Sequence, residues 1–149
     1  MKKNRSEILK ENSTEKKAEV GGCDIMPYLL SLCKFMNENG CKLEPYPHIS
    51  LSEQDTYKSD PLGKTAWYNP DTKSITLIAA GRHPKDVLRS AAHELVHHSQ
   101  NLAGKMKDED RDKLTDPAYA QKNKNLMKLE ADAYLRGNML MRKWEDGYK

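Results

Sequence analysis

From Pro84 to Gly104 the chain has no internal glycine or proline, and this stretch constrains the fold more than any other. Pro84 suits the first turn of a helix, where its missing N–H is no loss, and Gly104 suits the stop. The spacing predicts one long helix ending near Leu102. Val87, Leu88, Ala91, Ala92, Leu95 and Leu102 gather on one side of its wheel at about 100° per residue. That side must be buried against other elements. Opposite lie His93 and His97 with Asp86, Arg89, Ser90 and Gln100. This face is too polar for a core, so it either meets solvent or lines a cleft.

Other elements follow from similar signals. Asp24 to Asn37 reads as a helix, with Asp24 as its cap, Pro27 in the first turn and Gly40 as its stop. A short strand is expected around His48–Ser52. Lys64 to Tyr68 and Ser74 to Ala79 flank the turn-rich NPDTK and predict a β-hairpin. Lys105 to Lys124 is charged and reads as a loop. Asn125 to Trp144 reads as the last helix. The order predicts a single small α+β domain over residues 23–149. Residues 1–22 hold little that could be buried and read as a charged flexible leader.

The chain is 149 residues long, 37% hydrophobic and 32% charged, which allows one modest core. Its formal net charge is +3, with both signs interspersed as in KMKDEDRDK. No long basic stripe forms, so a nucleic-acid partner is not expected, the surface around Lys105–Lys124 being the place one would sit. No apolar run reaches signal-peptide or membrane-spanning length, which predicts a cytoplasmic protein and no membrane partner. A monomer is expected. Cys23, Cys33 and Cys41 have no CxxC spacing and read as reduced thiols.

The chemistry lies in His93-Glu94-Leu95-Val96-His97, which fits H-E-x-x-H. Positions four apart on a helix differ by about 5.4 Å along the axis and about 40° around it, so both imidazoles can reach one metal. Glu94 diverges from His93 by about 100° and reads as a general base, not a ligand. His98 turns toward the apolar side and reads as a hydrogen-bonded histidine at the core edge. His48 and His83 read as structural or surface residues.

A catalytic zinc usually takes three protein ligands and leaves one position open. No histidine follows His98, so the third ligand is a carboxylate or an upstream histidine. The last helix offers Glu130 and Asp132. On its wheel Glu130 sits at the centre of an apolar face made by Leu126, Met127, Leu129, Ala133, Tyr134, Gly137, Leu140 and Met141. A carboxylate there needs a cation. Asp132 points the other way, between Lys128 and Arg136, and reads as part of an exposed ion-pair ladder. Glu130 is therefore the expected ligand.

On these residues the chain resembles the gluzincins, zinc metallopeptidases whose H-E-x-x-H is completed by a glutamate on a downstream helix. It is also similar to compact, often phage-encoded, metallopeptidases with segments like RHPKDVLRSAAHELVHH and EADAYLRGN. The resemblance runs from about Lys64 to Trp144. It implies a minimal zincin-like fold, with an N-terminal helix, a small antiparallel sheet, the H-E-x-x-H helix and a C-terminal helix carrying the third ligand. It also implies that an edge strand binds extended substrate, and Ile75–Ala79 is the strand expected to do so.

The expected activity is peptide-bond hydrolysis on a protein or peptide substrate. Zinc lowers the pKa of its water and polarises the carbonyl. Glu94 takes up the proton and returns it to the leaving amine. Tyr134, one turn beyond Glu130, is a candidate oxyanion donor, although a packed aromatic is the plainer reading. The alternative is a zinc-containing binding or regulatory module with little hydrolysis. The presence of Glu94 argues against it, because holding the metal does not need that residue.

Overall fold

The computed structural model describes residues 19–53, 65–106 and 124–147. Its elements are β1 (Glu19–Val20), β2 (Cys23–Asp24), α1 (Met26–Glu38), β3 (His48–Ser52), β4 (Ala66–Asn69), β5 (Ser74–Ile78), α2 (Pro84–Leu102) and α3 (Lys124–Gly147). The architecture is α+β, as expected. No helix among the described residues is long and apolar enough to cross a membrane.

The expected leader lies outside the described residues up to residue 18, but residues 19–22 belong to the fold. Gly21 and Gly22, at φ of 56° and 80°, turn the chain back so that Val20 pairs with Cys23. Val20 is thereby buried in the core. A leader judged by average composition hides one apolar residue carried inward by a glycine turn. Asp24 then supports the start of α1, its Oδ1 accepting from the N–H of Met26 at 3.0 Å.

The hairpin forms where NPDTK predicts it. Asn69 Oδ1 accepts from the N–H groups of Asp71 at 2.9 Å and Thr72 at 3.3 Å, which bends the chain. Lys73, at φ 53°, completes the turn. Ala66 then faces Leu77 and Tyr68 faces Ile75, and all four side chains are buried. The sheet as a whole corrects the antiparallel expectation. β3 pairs with the other edge of β5 in parallel, placing Ile49 opposite Ile75, and the strand order is β3-β5-β4. The strand expected to offer a free edge is thus the central one. Hairpin geometry is local, but β3 pairs with a strand that does not directly follow it in sequence, and such pairing carries no local signature.

α2 lies against β4 and β5, with Val87, Ala91, Ala92 and Leu95 fully buried in the shared core. Its C-terminal half is pinned by His98. The ring Nε2–H of His98 donates to Pro45 O at 2.7 Å, with Leu43 O at 3.2 Å, and Nδ1 accepts from Tyr68 Oη at 2.8 Å. Asn101 Nδ2 donates to that same hydroxyl at 3.0 Å and to Pro70 O at 2.9 Å. Burial pulls the His98 pKa down and the Lys73 charge helps, against the two backbone bonds. A neutral imidazole, donor on one nitrogen and acceptor on the other, satisfies every partner. His98 is therefore structural, as expected, and lies in the core, not at its edge.

α3 packs antiparallel on α2. Lys85 Nζ meets Glu145 Oε2 at 3.0 Å at one end, and Gln100 Nε2 donates to Leu129 O at 2.9 Å at the other. Trp144 Nε1 donates to Ser31 Oγ at 2.9 Å and ties α3 to α1. The segment expected as a charged loop falls mostly on residues 107–123, outside the described residues. The three cysteines form no disulfide, and Cys33 and Cys41 are buried.

Candidate metal centre

The antiparallel packing of α2 on α3 brings His93, His97 and Glu130 together. One donor atom from each lies within 4.8 Å of the others, and among the described residues this group could hold a metal ion. His97 Nε2 is 2.7 Å from Glu130 Oε1, and His93 Nε2 is 3.4 Å from Glu130 Oε2. The two rings lie edge to face with centroids 4.9 Å apart. The polar face of α2 is thus neither open surface nor core. Its middle and C-terminal part, His97 and Gln100 at 1% exposure each, is roofed by α3, while Asp86 and Arg89 at its start stay in solvent.

The geometry tests whether a cation fits. His97 Nε2 is buried and makes no hydrogen bond of acceptable angle, although a carboxylate oxygen is 2.7 Å away. The two atoms are close without meeting the geometry of a hydrogen bond. Two electron-rich atoms so placed repel unless a proton or a metal ion lies between them. The electrostatics agree. Burial pushes the Glu130 carboxyl up, but the His93 and His97 imidazoles beside it outweigh that and hold the group well below the usual carboxylate range. Burial pulls His97 down, and the close Glu130 carboxylate, the charge of Glu94 and the bond to Gln100 outweigh that and leave it raised. The pocket favours positive charge.

Glu130 does not occupy the centre of an apolar face, as its wheel suggests. Met127 and Tyr134, on one side of it, are 50% and 61% exposed, whereas Leu126, Leu129, Ala133, Gly137 and Leu140, toward its other side, are buried. The carboxylate stands at the rim of the interface, 27% exposed, reachable from solvent and inward enough to meet both imidazoles. A wheel counts apolar residues as buried and cannot see where the neighbouring helix ends.

Glu94 is 7% exposed, and its charge bears on both His97 and Tyr134. Tyr134 is largely exposed beside the group, its ring tilted 59° against that of His93 at 4.4 Å. Burial, then the charges of Glu130 and Glu94, raise its pKa, so it keeps its proton. His48 lies on β3, and His83 caps α2 by accepting from the N–H of Lys85 at 3.1 Å. Neither belongs to the metal group.

Asp132 departs from the expected exposed ladder. Arg136 does grip it, Nε to Oδ1 and Nη2 to Oδ2 at 2.8 Å each. It also reaches back to α2, where Gln100 Nε2 donates to Oδ2 at 2.9 Å. Gln100 Oε1 in turn lies 2.8 Å from His97 Nδ1. The wheel sees the local partner at i+4 but not one on another helix.

Gly137 was not singled out from the sequence. A Cβ there would lie 3.3 Å from both the N and Cα of His93 and 3.4 Å from the carbonyl carbon of Ala92, all backbone atoms. The lone hydrogen lets α3 lie close on α2 at the turn that carries His93, where a Cβ would push the two backbones apart by a few tenths of an ångström. In an exposed helix Gly→Ala stabilises by about 1 kcal/mol. Gly137→Ala should instead lower both thermal stability and metal affinity, because the backbone it meets cannot swing aside. Gly147, with nothing within 4 Å of its Cβ position, is the control. Equal behaviour of the two variants in thermal melts and metal titrations would refute this reading.

Comparison with protein-family models, with curated proteins and with solved structures finds nothing that matches this chain. The functional reading therefore rests on the site itself.

Proposed function

We propose that this protein is a zinc-dependent peptidase of the gluzincin type, with His93, His97 and Glu130 as metal ligands and Glu94 as general base. The observation that carries the reading is the convergence of two imidazoles and one carboxylate on a shared point, with a second carboxylate beside them that holding the metal does not require. Two nitrogens and one oxygen make a usual donor set for catalytic zinc, with a fourth position left open. When bound there, zinc supplies a Lewis acid and a water of lowered pKa.

The remaining work falls to the chain's own groups. Glu94 takes up the proton released as a peptide carbonyl is attacked, and passes it to the leaving amine. Its low exposure holds it in one place for both transfers. Tyr134, packed against the His93 ring with its proton retained, is a candidate donor to the developing oxyanion. The substrate class supported by this chemistry is protein or peptide.

The test is metal analysis of the purified protein combined with a protein-cleavage screen, with and without a chelator. The expected result is about one zinc per chain, with cleavage lost on chelation and restored by zinc. His93→Ala and His97→Ala should each abolish binding. Full zinc retention in both variants would sink the site. Zinc bound without chelator-sensitive cleavage would favour a binding or regulatory module.

A further inference from the structure

Gln100 is 1% exposed, and every polar atom of its side chain is committed. Both N–H bonds of its amide are spent on acceptors, Leu129 O and Asp132 Oδ2, at 2.9 Å each. Neither acceptor can donate, so the orientation of the amide is fixed by its partners. Its oxygen must therefore face His97, where Nδ1 lies 2.8 Å away. An amide oxygen only accepts, so His97 Nδ1 carries a hydrogen. In a neutral imidazole the other nitrogen, Nε2, then has a bare lone pair, and Nε2 is the atom turned toward Glu130 and His93. The far end of the chain is held as firmly, because Arg136 grips both oxygens of Asp132.

We infer that Arg136, Asp132 and Gln100 form a relay that fixes the ligating tautomer and ring orientation of His97, with Gln100 and Asp132 as positioning residues of the metal site. Hydrogen bonding to the non-ligating nitrogen of a metal-binding histidine orients the ring and raises its basicity. Here an amide transmits the effect of a carboxylate that cannot itself reach the ring. The same amide also holds Leu129 O, the carbonyl next to Glu130 in sequence, so it sets the register of the two ligand-bearing helices. The relay assigns a task to Asp132, which its place among charged neighbours on one helix does not suggest. The inference rests on the proposed metal site but not on peptidase activity.

The test compares wild type, Gln100→Leu and Asp132→Ala in zinc affinity by chelator competition, in thermal stability without metal, and in the ¹⁵N shifts of the His97 ring without metal. Gln100→Leu should weaken zinc binding by about 10–100-fold. Asp132→Ala, at a part-exposed position where folding is less at risk, should weaken it by roughly 10-fold, the lower end of that range. In neutral wild-type His97 the shifts should report hydrogen on Nδ1, with a mixture of tautomers in Gln100→Leu. This readout needs no metal, so together with the metal-free melts it separates positioning from general loss of fold. A wild-type protein with hydrogen on Nε2 overturns the relay, whatever its zinc affinity. Unchanged zinc affinity in the folded variants also overturns it, while the metal site stands. Absence of zinc binding in wild type sinks the peptidase reading and, with the metal site, the positioning role of the relay, whatever the tautomer.

Discussion

Glu130→Gln should lose zinc affinity by on the order of 100-fold or more, since residues that merely support a ligand already cost up to about that factor and this one is the proposed ligand. A neutral amide is a poor donor to zinc, and the negative charge that balances the ion disappears with it. The loss should also appear as heat stability. Zinc at 1,000 times its dissociation constant stabilises a folded protein by about 4 kcal/mol, and the variant should forfeit most of that gain. Chelator competition and melting curves with and without zinc measure both quantities. The metal-free proteins give an independent check through pH. In the wild type His97 is raised, so its contribution to stability is complete below the ordinary imidazole range and is lost as pH rises through the raised value. Glu130 is lowered, so its contribution is complete above the ordinary carboxylate range and is lost as pH falls toward the lowered value. The metal-free wild type should therefore be most stable in mildly acid solution, and Glu130→Gln should flatten that maximum. Tight zinc binding by Glu130→Gln, with Asp132→Asn the more damaging change, would mean that the third ligand is misassigned.

The parts of this site that were legible in the sequence are those written in one helix. His93 and His97 are four apart, and that spacing alone places them on a common face whatever α2 packs against. Glu130 was legible because a carboxylate among apolar residues is a local anomaly that calls for a cation. The bounds of α2 were legible because Pro84 and Gly104 punctuate it. What escaped depends on where a second element lies. The partner of β5 on its far edge, the roof that α3 places over His97 and Gln100, and the rim position of Glu130 are all set by packing between elements. Asp132 illustrates the divide. Its contact with Arg136 spans four residues and is visible on a wheel, whereas its contact with Gln100 spans 32 and is not. The signal that could have found Gln100 was present. It lies three residues beyond His97 on the histidine face, close enough for an amide to reach the imidazole. Gly137 had a signal too, a glycine inside a long helix that gains nothing from it unless a neighbouring backbone comes close.

Glu94→Gln should leave zinc in place and remove hydrolysis. The substitution preserves size and shape, so a residue 7% exposed in a packed helix keeps its packing. What it removes is the ability to accept a proton. General-base groups contribute roughly a hundred- to ten-thousand-fold to rate, and a drop of that size in kcat, with KM little changed, is the expected signature. Zinc content should remain at the wild-type level, because Glu94 does not belong to the group of converging donors. Glu94→Asp is the sharper companion. It keeps the charge but draws the carboxylate back by one methylene, so it should retain part of the activity that the amide loses. Three measurements decide the matter: bound zinc per chain, melting temperature, and single-turnover cleavage of a susceptible substrate. A Glu94→Gln protein that holds zinc, melts like the wild type and cleaves as fast removes Glu94 from the mechanism. A variant that loses zinc as well as activity makes Glu94 a ligand or a structural support, and the roles of Glu94 and Glu130 would then have to be exchanged or shared.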